Sequence, residues 1–309
     1  MRVIITGGTG LIGSALAHSL VNDGHEVIVL SRSPERKRDE VPAGARLVGW
    51  DARSAEGWGH LTDGADAVVN LAGESIGGEG FPPPRWTQER KQRILQSRLD
   101  AGQAVVEAVQ KAHNRPEVVV QASAIGYYGP RGDEIMAEDG PPGDDFQARV
   151  VVRWEQTTAP VEALGVRRVV IRSGLVMDAK HGILQQVLLP FRLFVGGPLG
   201  SGEQYYSWIH IEDEVRAIRF LIENKGARGV YNLTAPQPIR QREMAHIIGR
   251  VMGRPSFVPA PAFALKLALG EIATLVLDGV RVMPSRLLAE GFAFKWADFE
   301  AALRNLLGK

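Results

Sequence analysis

Cysteine is absent from the 309 residues, which excludes disulfides, thiolate nucleophiles and cysteine-ligated metals and fits a reducing compartment. A dominant charge is lacking as well. The 36 Lys and Arg oppose 35 Asp and Glu, for a formal net charge of +1, so neither nucleic acid nor an acidic membrane is an expected partner. The seven His show no metal-ligand spacing of the HExxH kind, and no metal is expected. Long uninterrupted apolar runs are missing too. The greasiest stretch, AFALKLALGEIATLVL, carries Lys266 and Glu271 with Pro261 just upstream, and reads as a buried or capping helix rather than a membrane span. The opening MRVIITGGTG runs from a strand straight into glycines, without the basic region, apolar stretch and cleavage site of a secretory leader, so a cytoplasmic location is expected.

What is present begins at once. Arg2 to Thr6 form a β-branched strand, and Gly7, Gly10 and Gly13 follow at spacing G-x-x-G-x-x-G into the apolar-periodic segment LIGSALAHSLVNDG. Glycines let the backbone approach a pyrophosphate, whose charge meets the unpaired N–H groups and positive end of the new helix. That places Gly7, Thr9, Gly10, Leu11, Ile12 and Gly13 against a bound dinucleotide. A second strand, EVIVLSR, follows where a βαβ unit puts it. An acid normally ends that strand in NAD-preferring sites. Here the residues are Ser31, Arg32 and Ser33, and a guanidinium suits an adenosine 2′-phosphate, so NADP(H) is expected over NAD; the alternative is a solvated Arg opening the loop SPERKRDE. Asp51, ending the strand ARLVGWD, faces either an adenine amino group or a plain strand-end turn.

Further along, ADAVVNLAG ends in Leu71, Ala72 and Gly73, small residues at a carboxyl edge where cofactors lie. A Pro-rich loop, FPPPRW, leads into the long helix TQERKQRILQSRLDAGQAVVEAVQKA; the strand EVVVQAS, the helix within GDDFQARVVVRWEQ and the strand RRVVIRSGLVM follow. Strands alternating with helices predict an α/β fold, a Rossmann doubly wound parallel sheet. Residues 178–207 read as glycine and aromatic loops, residues 208–235 return to the βα pattern, and the remainder is mostly helical. The expected organisation is a dinucleotide-binding domain of residues 1–178 and 208–235, with a smaller, mostly helical substrate-capping lobe of residues 179–207 and 236–309. One or two domains suit this length, as a monomer or homodimer.

The blocks TGGTGLIG, SAIGYYG, RWTQERKQRILQSR, GGPLGSGEQYYSWIHIEDEV and GFAFKWADFEAAL together resemble the atypical, extended-type short-chain dehydrogenase/reductase group of epimerase-like proteins, akin to NAD-dependent epimerases and dehydratases, with a carboxyl-terminal domain of unknown function. The resemblance implies a bound NADP(H) and a small-molecule substrate of unknown identity, with a nucleotide sugar suggested by the family naming. It also implies a Ser that polarises a carbonyl, matched by Ser123, and a Tyr assisted by a Lys four residues later. Neither register of GDDFQARVVVRWEQ supplies that pair: Phe146 opposite the Tyr puts Val150 at the Lys, and the alternative puts Gln147 and Val151 there. A free phenol has a pKa near 10 and needs a neighbouring cation to work at neutral pH. Tyr127 and Tyr128 offer replacement hydroxyls, Tyr127 first. Lys91 and Arg98 share a helix face with Ile94 and Leu95, and one of them is expected to supply the missing positive charge near the nicotinamide or a substrate phosphate, unless both snorkel to solvent or pair with carboxylates. Arg172 either lines the site or forms a structural salt bridge. His210 is read mainly as a structural helix-start residue. Two functions remain open: an NADP(H)-dependent oxidoreductase or epimerase-like enzyme, and a binding protein that senses NADPH without consuming it.

Overall fold

The computed structural model describes residues 1–78, 80 and 83–309. Phe81 and Pro82 of the Pro-rich loop lie outside the described residues. Seven Val- and Ile-rich segments form one sheet: β1 (Arg2–Thr6), β2 (Glu26–Ser31), β3 (Arg46–Gly49), β4 (Ala67–Asn70), β5 (Val118–Ala124), β6 (Arg167–Ser173) and β7 (Gly229–Leu233). Their order is β7-β6-β5-β4-β1-β2-β3, and every neighbouring pair is parallel. All carboxyl ends therefore share one edge, and the order reverses between β1 and β4, where such sheets open a crevice.

Apolar residues on successive strand positions cover both faces, as a buried parallel sheet requires. Val3, Ile5, Val29 and Val120 face α1 (Leu11–Asn22) and the later Ile211–Glu223 helix through Leu16, Leu20, Ile218 and Leu221. Ile4, Ile28, Val68 and Val119 face the opposite way, toward Ala101, Val105 and Val109 of α2 (Gln88–Lys111). The helix α3 (Phe146–Thr157) starts at Asp145, whose carboxylate accepts from Ala148 N at 2.8 Å. Near the carboxyl edge a buried polar ladder ties three strands: Thr6 donates to Asn70 (2.6 Å), Asn70 donates to Gln121 (2.9 Å), and Thr6 Oγ1 accepts from Ala72 N (3.2 Å). That ladder fixes the Leu71–Gly73 loop against the end of β1.

The carboxyl-terminal part has its own core. The residues expected as loops at 178–207 contain α4 (Ile183–Arg192), whose Leu184, Leu188 and Phe191 fall on one buried stripe; Pro190 sits in its last turn and Gly182 just before it, which hid the periodicity. This stripe packs with Trp208, with Met244 and Ile248 of a helix Gln241–Met252, and with Phe299 and Leu303 of the final helix Phe299–Leu307. The greasy AFALKLALGEIATLVL segment is not one buried helix. It breaks at Gly270 (φ +64°) into Ala262–Leu269, a 3₁₀ turn and Thr274–Leu277, and Phe263 and Leu267 are 74% and 77% exposed. Among the described residues no helix is long and apolar enough to cross a membrane, and no group of His, Cys, Asp and Glu is placed to hold a metal.

With α5 now denoting Ile211–Glu223, its first turn buries two acids. Asp213 accepts from Lys295 N (3.0 Å) and Trp296 N (2.8 Å), anchoring the carboxyl-terminal segment. Glu214 accepts from Ser173 Oγ at 2.6 Å, while its second oxygen is buried without a partner, and burial pushes its pKa up to about 8. The folded state holds this proton more tightly than the unfolded chain, so the acid removes stability as pH rises from the ordinary carboxylate value of 4.5 towards about 8. Glu214→Gln should therefore gain melting temperature over the wild type progressively between pH 5 and pH 9; a gap independent of pH in thermal scans would contradict the assignment.

Candidate functional site

The turn after β1 is shaped by what its glycines lack. Gly7 has φ +66°, and a Cβ there would lie 2.8 Å from the Leu71 carbonyl. A Cβ at Gly13 would lie 2.5 Å from Gly7 O, so α1 presses directly on the turn. Gly10, held by its N–H to Gly7 O at 3.0 Å, is the N-cap of α1, and the helix has neither a side-chain cap nor an acid in its first turn. The positive helix end, with the backbone of Leu11, Ile12 and Gly13, is left for an external anion.

A cleft of about 670 Å³ opens at this point. Gly7, Thr9 and Gly10 line it at β1, Ser31, Arg32 and Ser33 at β2, and Leu71, Ala72 and Gly73 at β4, with Arg90, Arg93 and Ser97 contributed by α2. Arg32 is exposed, and among the described residues it makes no hydrogen bond or ion pair. Its charge is available to a ligand. These residues fit a dinucleotide in shape and charge.

Three residues weighed from the sequence make structural contacts in this setting. Asp51 takes the turn role: its carboxylate accepts from Arg53 N (2.8 Å), Ser54 N (2.9 Å) and Ser54 Oγ (3.0 Å), bonds that hold it below the usual carboxylate range, and Trp50 and Ala52 line the cleft in its stead. Arg98 supports the cleft from behind. Its guanidinium donates to Glu74 O (2.9 Å) and Ile94 O (2.8 Å) over the Trp154 ring, and burial lowers its pKa to about 10, which leaves it charged. Lys91 reaches neither cleft nor Ser123 in its contacts; it pairs with Glu271 at 2.6 Å and sits 5.0 Å over the Phe146 ring, tying α2 to the carboxyl-terminal segment.

The structure brings Ser123 together with Arg172, Tyr127 and Tyr128, which the sequence named, through Glu155, which it did not. Ser123 Oγ donates to Glu155 at 2.5 Å, and Glu155 accepts from Arg172 Nε (2.7 Å) and Nη2 (3.0 Å). Arg172 stands opposite Ser123 in the β5–β6 register, donates to Tyr128 OH (3.0 Å), and lies 3.3 Å from the centroid of the Tyr127 ring. Tyr128 in turn donates to Asn232 at 2.7 Å. Burial opposes the Arg172 charge, but the Glu155 contacts outweigh it and raise the pKa; burial also raises the Tyr128 phenol, which is a hydrogen-bonding strut rather than an acid. The cation beside the tyrosines is thus Arg172. The sequence signal was an opposite-charge pair inside otherwise apolar buried runs, Glu155 after Val150, Val151 and Trp154, and Arg172 after Val169, Val170 and Ile171.

His210 caps α5: Nδ1 accepts from Glu212 N (3.0 Å), the other ring nitrogen lies 3.2 Å from Asn305 Oδ1, and the ring stacks on Trp296. Burial lowers its pKa, so the neutral ring is a structural clip. Beside the loop leaving β5 lies a smaller cavity of about 110 Å³, walled by Ile125, Gly126, Asp145 and Gln147 on one side and by Thr274–Val280 on the other.

A seven-stranded parallel sheet whose first turn leaves a bare helix end over a nucleotide-sized cleft defines a Rossmann-type α/β protein. Residues 3–234 match the NAD dependent epimerase/dehydratase family, and the chain belongs to it, as an atypical short-chain dehydrogenase/reductase. Residues 260–306 match a domain of unknown function, DUF1731. The epimerase family protein YfhF of Bacillus subtilis (strain 168) is 36% identical over 308 residues, covering 99% of this chain and 98% of that protein. The crystal structure of human epimerase family protein SDR39U1 (isoform2) with NADPH is 36% identical, with a TM-score of 0.89 over 100% of both chains. The nucleoside-diphosphate sugar epimerase from Corynebacterium glutamicum is 33% identical, with a TM-score of 0.78 over 100% of this chain and 58% of its own.

Removing one member of a buried ion pair leaves the other uncompensated. Glu155→Ala should cost about 3–5 kcal/mol in urea unfolding. A loss below about 1 kcal/mol with an unchanged m value would mean that Arg172 is solvated.

Proposed function

We propose that this chain binds NADP(H) and acts as an oxidoreductase or epimerase-like enzyme on a carbonyl or hydroxyl carbon. The observation that carries the reading is the exposed Arg32 beside Ser31 and Ser33, at the strand end where an acid would select NAD, facing the same cleft as the uncapped start of α1. The crystal structure of the 36%-identical human protein with NADPH supports it. When bound, the nicotinamide supplies or takes up a hydride. Gly7, Thr9, Gly10 and the first turn of α1 hold the pyrophosphate, Ser31 and Arg32 the 2′-phosphate, and Leu71–Gly73 the middle of the coenzyme. Ser123 gives its hydrogen to Glu155, so its oxygen is oriented to accept from a substrate hydroxyl. Tyr127 is the proton-exchanging side chain in this reading, with Arg172 as the neighbouring cation and Lys91 assigned to holding the carboxyl-terminal segment. Residues 179–207 and 236–309 form the substrate lobe.

A second reading, an NADPH sensor without turnover, draws on one observation: the Ser123 hydrogen is committed to a carboxylate already bound by Arg172. Stopped-flow absorbance with NADPH and a panel of carbonyl compounds and sugar nucleotides separates the two. Oxidation abolished by Ser123→Ala supports the enzyme, and tight binding without oxidation across the panel supports the sensor.

A charge-assisted contact to a phosphate contributes about 1.5–3 kcal/mol. Arg32→Ala should weaken NADPH binding at least about tenfold in calorimetry and leave NADH within about twofold. Equal losses for both coenzymes would contradict the assignment of Arg32.

A further inference from the structure

The geometry points to a small uncharged or cationic hydroxyl or carbonyl compound as the substrate, admitted by the cavity beside the β5 exit loop and selected against phosphorylated compounds by Asp278 of the domain of unknown function together with Asp145. This inference rests on the enzyme reading above and narrows it.

The first support is position. Ile125 and Gly126 continue directly from β5, which carries Ser123, and Leu175 follows the end of β6; all three line the cavity. With its pyrophosphate at Gly7–Gly13 and its adenosine end at Arg32 just after β2, a dinucleotide runs across β1 and β4 towards β5, so its reactive end arrives beside this cavity.

The second is that the far wall is built in. Tyr206 OH and Gln204 Nε2 donate to Val276 O at 2.7 and 2.8 Å. Ser207 Oγ donates to Val280 O and accepts from Val282 N, each at 2.8 Å. Arg281 and Val282 pair with Ile135 and Met136 downstream of β5. The carboxyl-terminal segment is hydrogen-bonded across the carboxyl edge, and this placement gives the domain of unknown function a role as the substrate-side wall.

The third is charge and size. Among the described residues, Asp145 and Asp278 are the only ionic side chains lining the cavity. One Asp145 oxygen accepts from Ala148 N, and the Asp278 carboxylate makes no hydrogen bond among the described residues. Burial and the neighbouring Asp145 charge raise the Asp278 pKa, against Lys266. Nearby cations stand outside the lining: Arg240 is held by Asp133 and Glu203 against the Tyr205 ring, and Arg281 lies 5.1 Å from the same ring. A phosphate group entering here meets like charge, which disfavours it strongly in a partly desolvated site. The volume of about 110 Å³ matches a compound of roughly six non-hydrogen atoms, since a cavity of roughly 150 Å³ admits benzene, and is too small to enclose a nucleotide sugar.

The test compares NADPH oxidation with dihydroxyacetone, glyceraldehyde and aminoacetone against dihydroxyacetone phosphate and UDP-glucose, with NADPH affinity followed in parallel by fluorescence. Expected is kcat/KM at least about tenfold higher for the unphosphorylated compounds, a preference narrowed by Asp278→Asn and reversed by Asp278→Lys at unchanged NADPH affinity. A wild-type preference for the phosphate or the nucleotide sugar, or a preference that both Asp278 variants leave untouched, overturns the inference while the enzyme reading stands. Tight NADPH binding with no compound consumed overturns the enzyme reading, and this inference with it.

Discussion

The structure depends on a helix that begins without a cap. In most helices a Ser, Thr, Asp or Asn side chain satisfies the first N–H groups, and acids in the first turn offset the dipole. In α1 glycine stands at the N-cap and no acid follows, although α3 and the final helix carry Asp145 and Asp298 in that role. The missing Cβ of Gly13 lets the bare end press on the turn after β1, and that of Gly7 lets this turn press on the loop after β4. The Thr6–Asn70–Gln121 ladder then holds the same strand ends in register from within the sheet. A local deficit of hydrogen bonds is thereby maintained by surrounding packing, and it faces a cleft large enough for a dinucleotide.

Buried charge is the second theme, and most of it braces backbone or fixes one side chain against another. Arg167 donates to Leu221 O, Ile222 O and Ala227 O, closing the carboxyl end of α5, while Arg98 does the same for the loop after β4. Glu155 and Arg172 differ because their contacts reach Ser123 and the two tyrosines. Their pairing satisfies two buried ions and orients Ser123 at the same time. A carboxylate, a guanidinium and a pair of tyrosines thus meet beside Ser123 on neighbouring elements.

Much of the sheet was legible in the sequence because its strands are short β-branched runs bounded by glycine or polar residues, and because G-x-x-G-x-x-G fixes where strand passes into helix. The cleft residues at Gly7, Ser31, Arg32 and Leu71–Gly73 followed from strand ends alone. What stayed hidden depended on contacts distant in sequence. Spacing on α2 showed that Lys91 and Arg98 face inward, but the partner of Lys91 is Glu271, 180 positions away, and Arg98 bonds the carbonyls of Glu74 and Ile94. Asp51 had two readings that only the position of Ser54 could separate. The α4 stripe was obscured by Gly182 and Pro190, and Gly270 divided a segment whose composition suggested one helix.

The central claim is that coenzyme phosphate takes the place of a cap on α1. Gly10 already has extended backbone (φ −85°, ψ 176°) of the kind an Asp N-cap adopts. Gly10→Asp would supply the missing cap and put negative charge where the pyrophosphate sits. Calorimetric titration of NADPH into that folded variant is predicted to show affinity reduced at least about tenfold; wild-type affinity in a variant with an intact circular dichroism spectrum would contradict the claim.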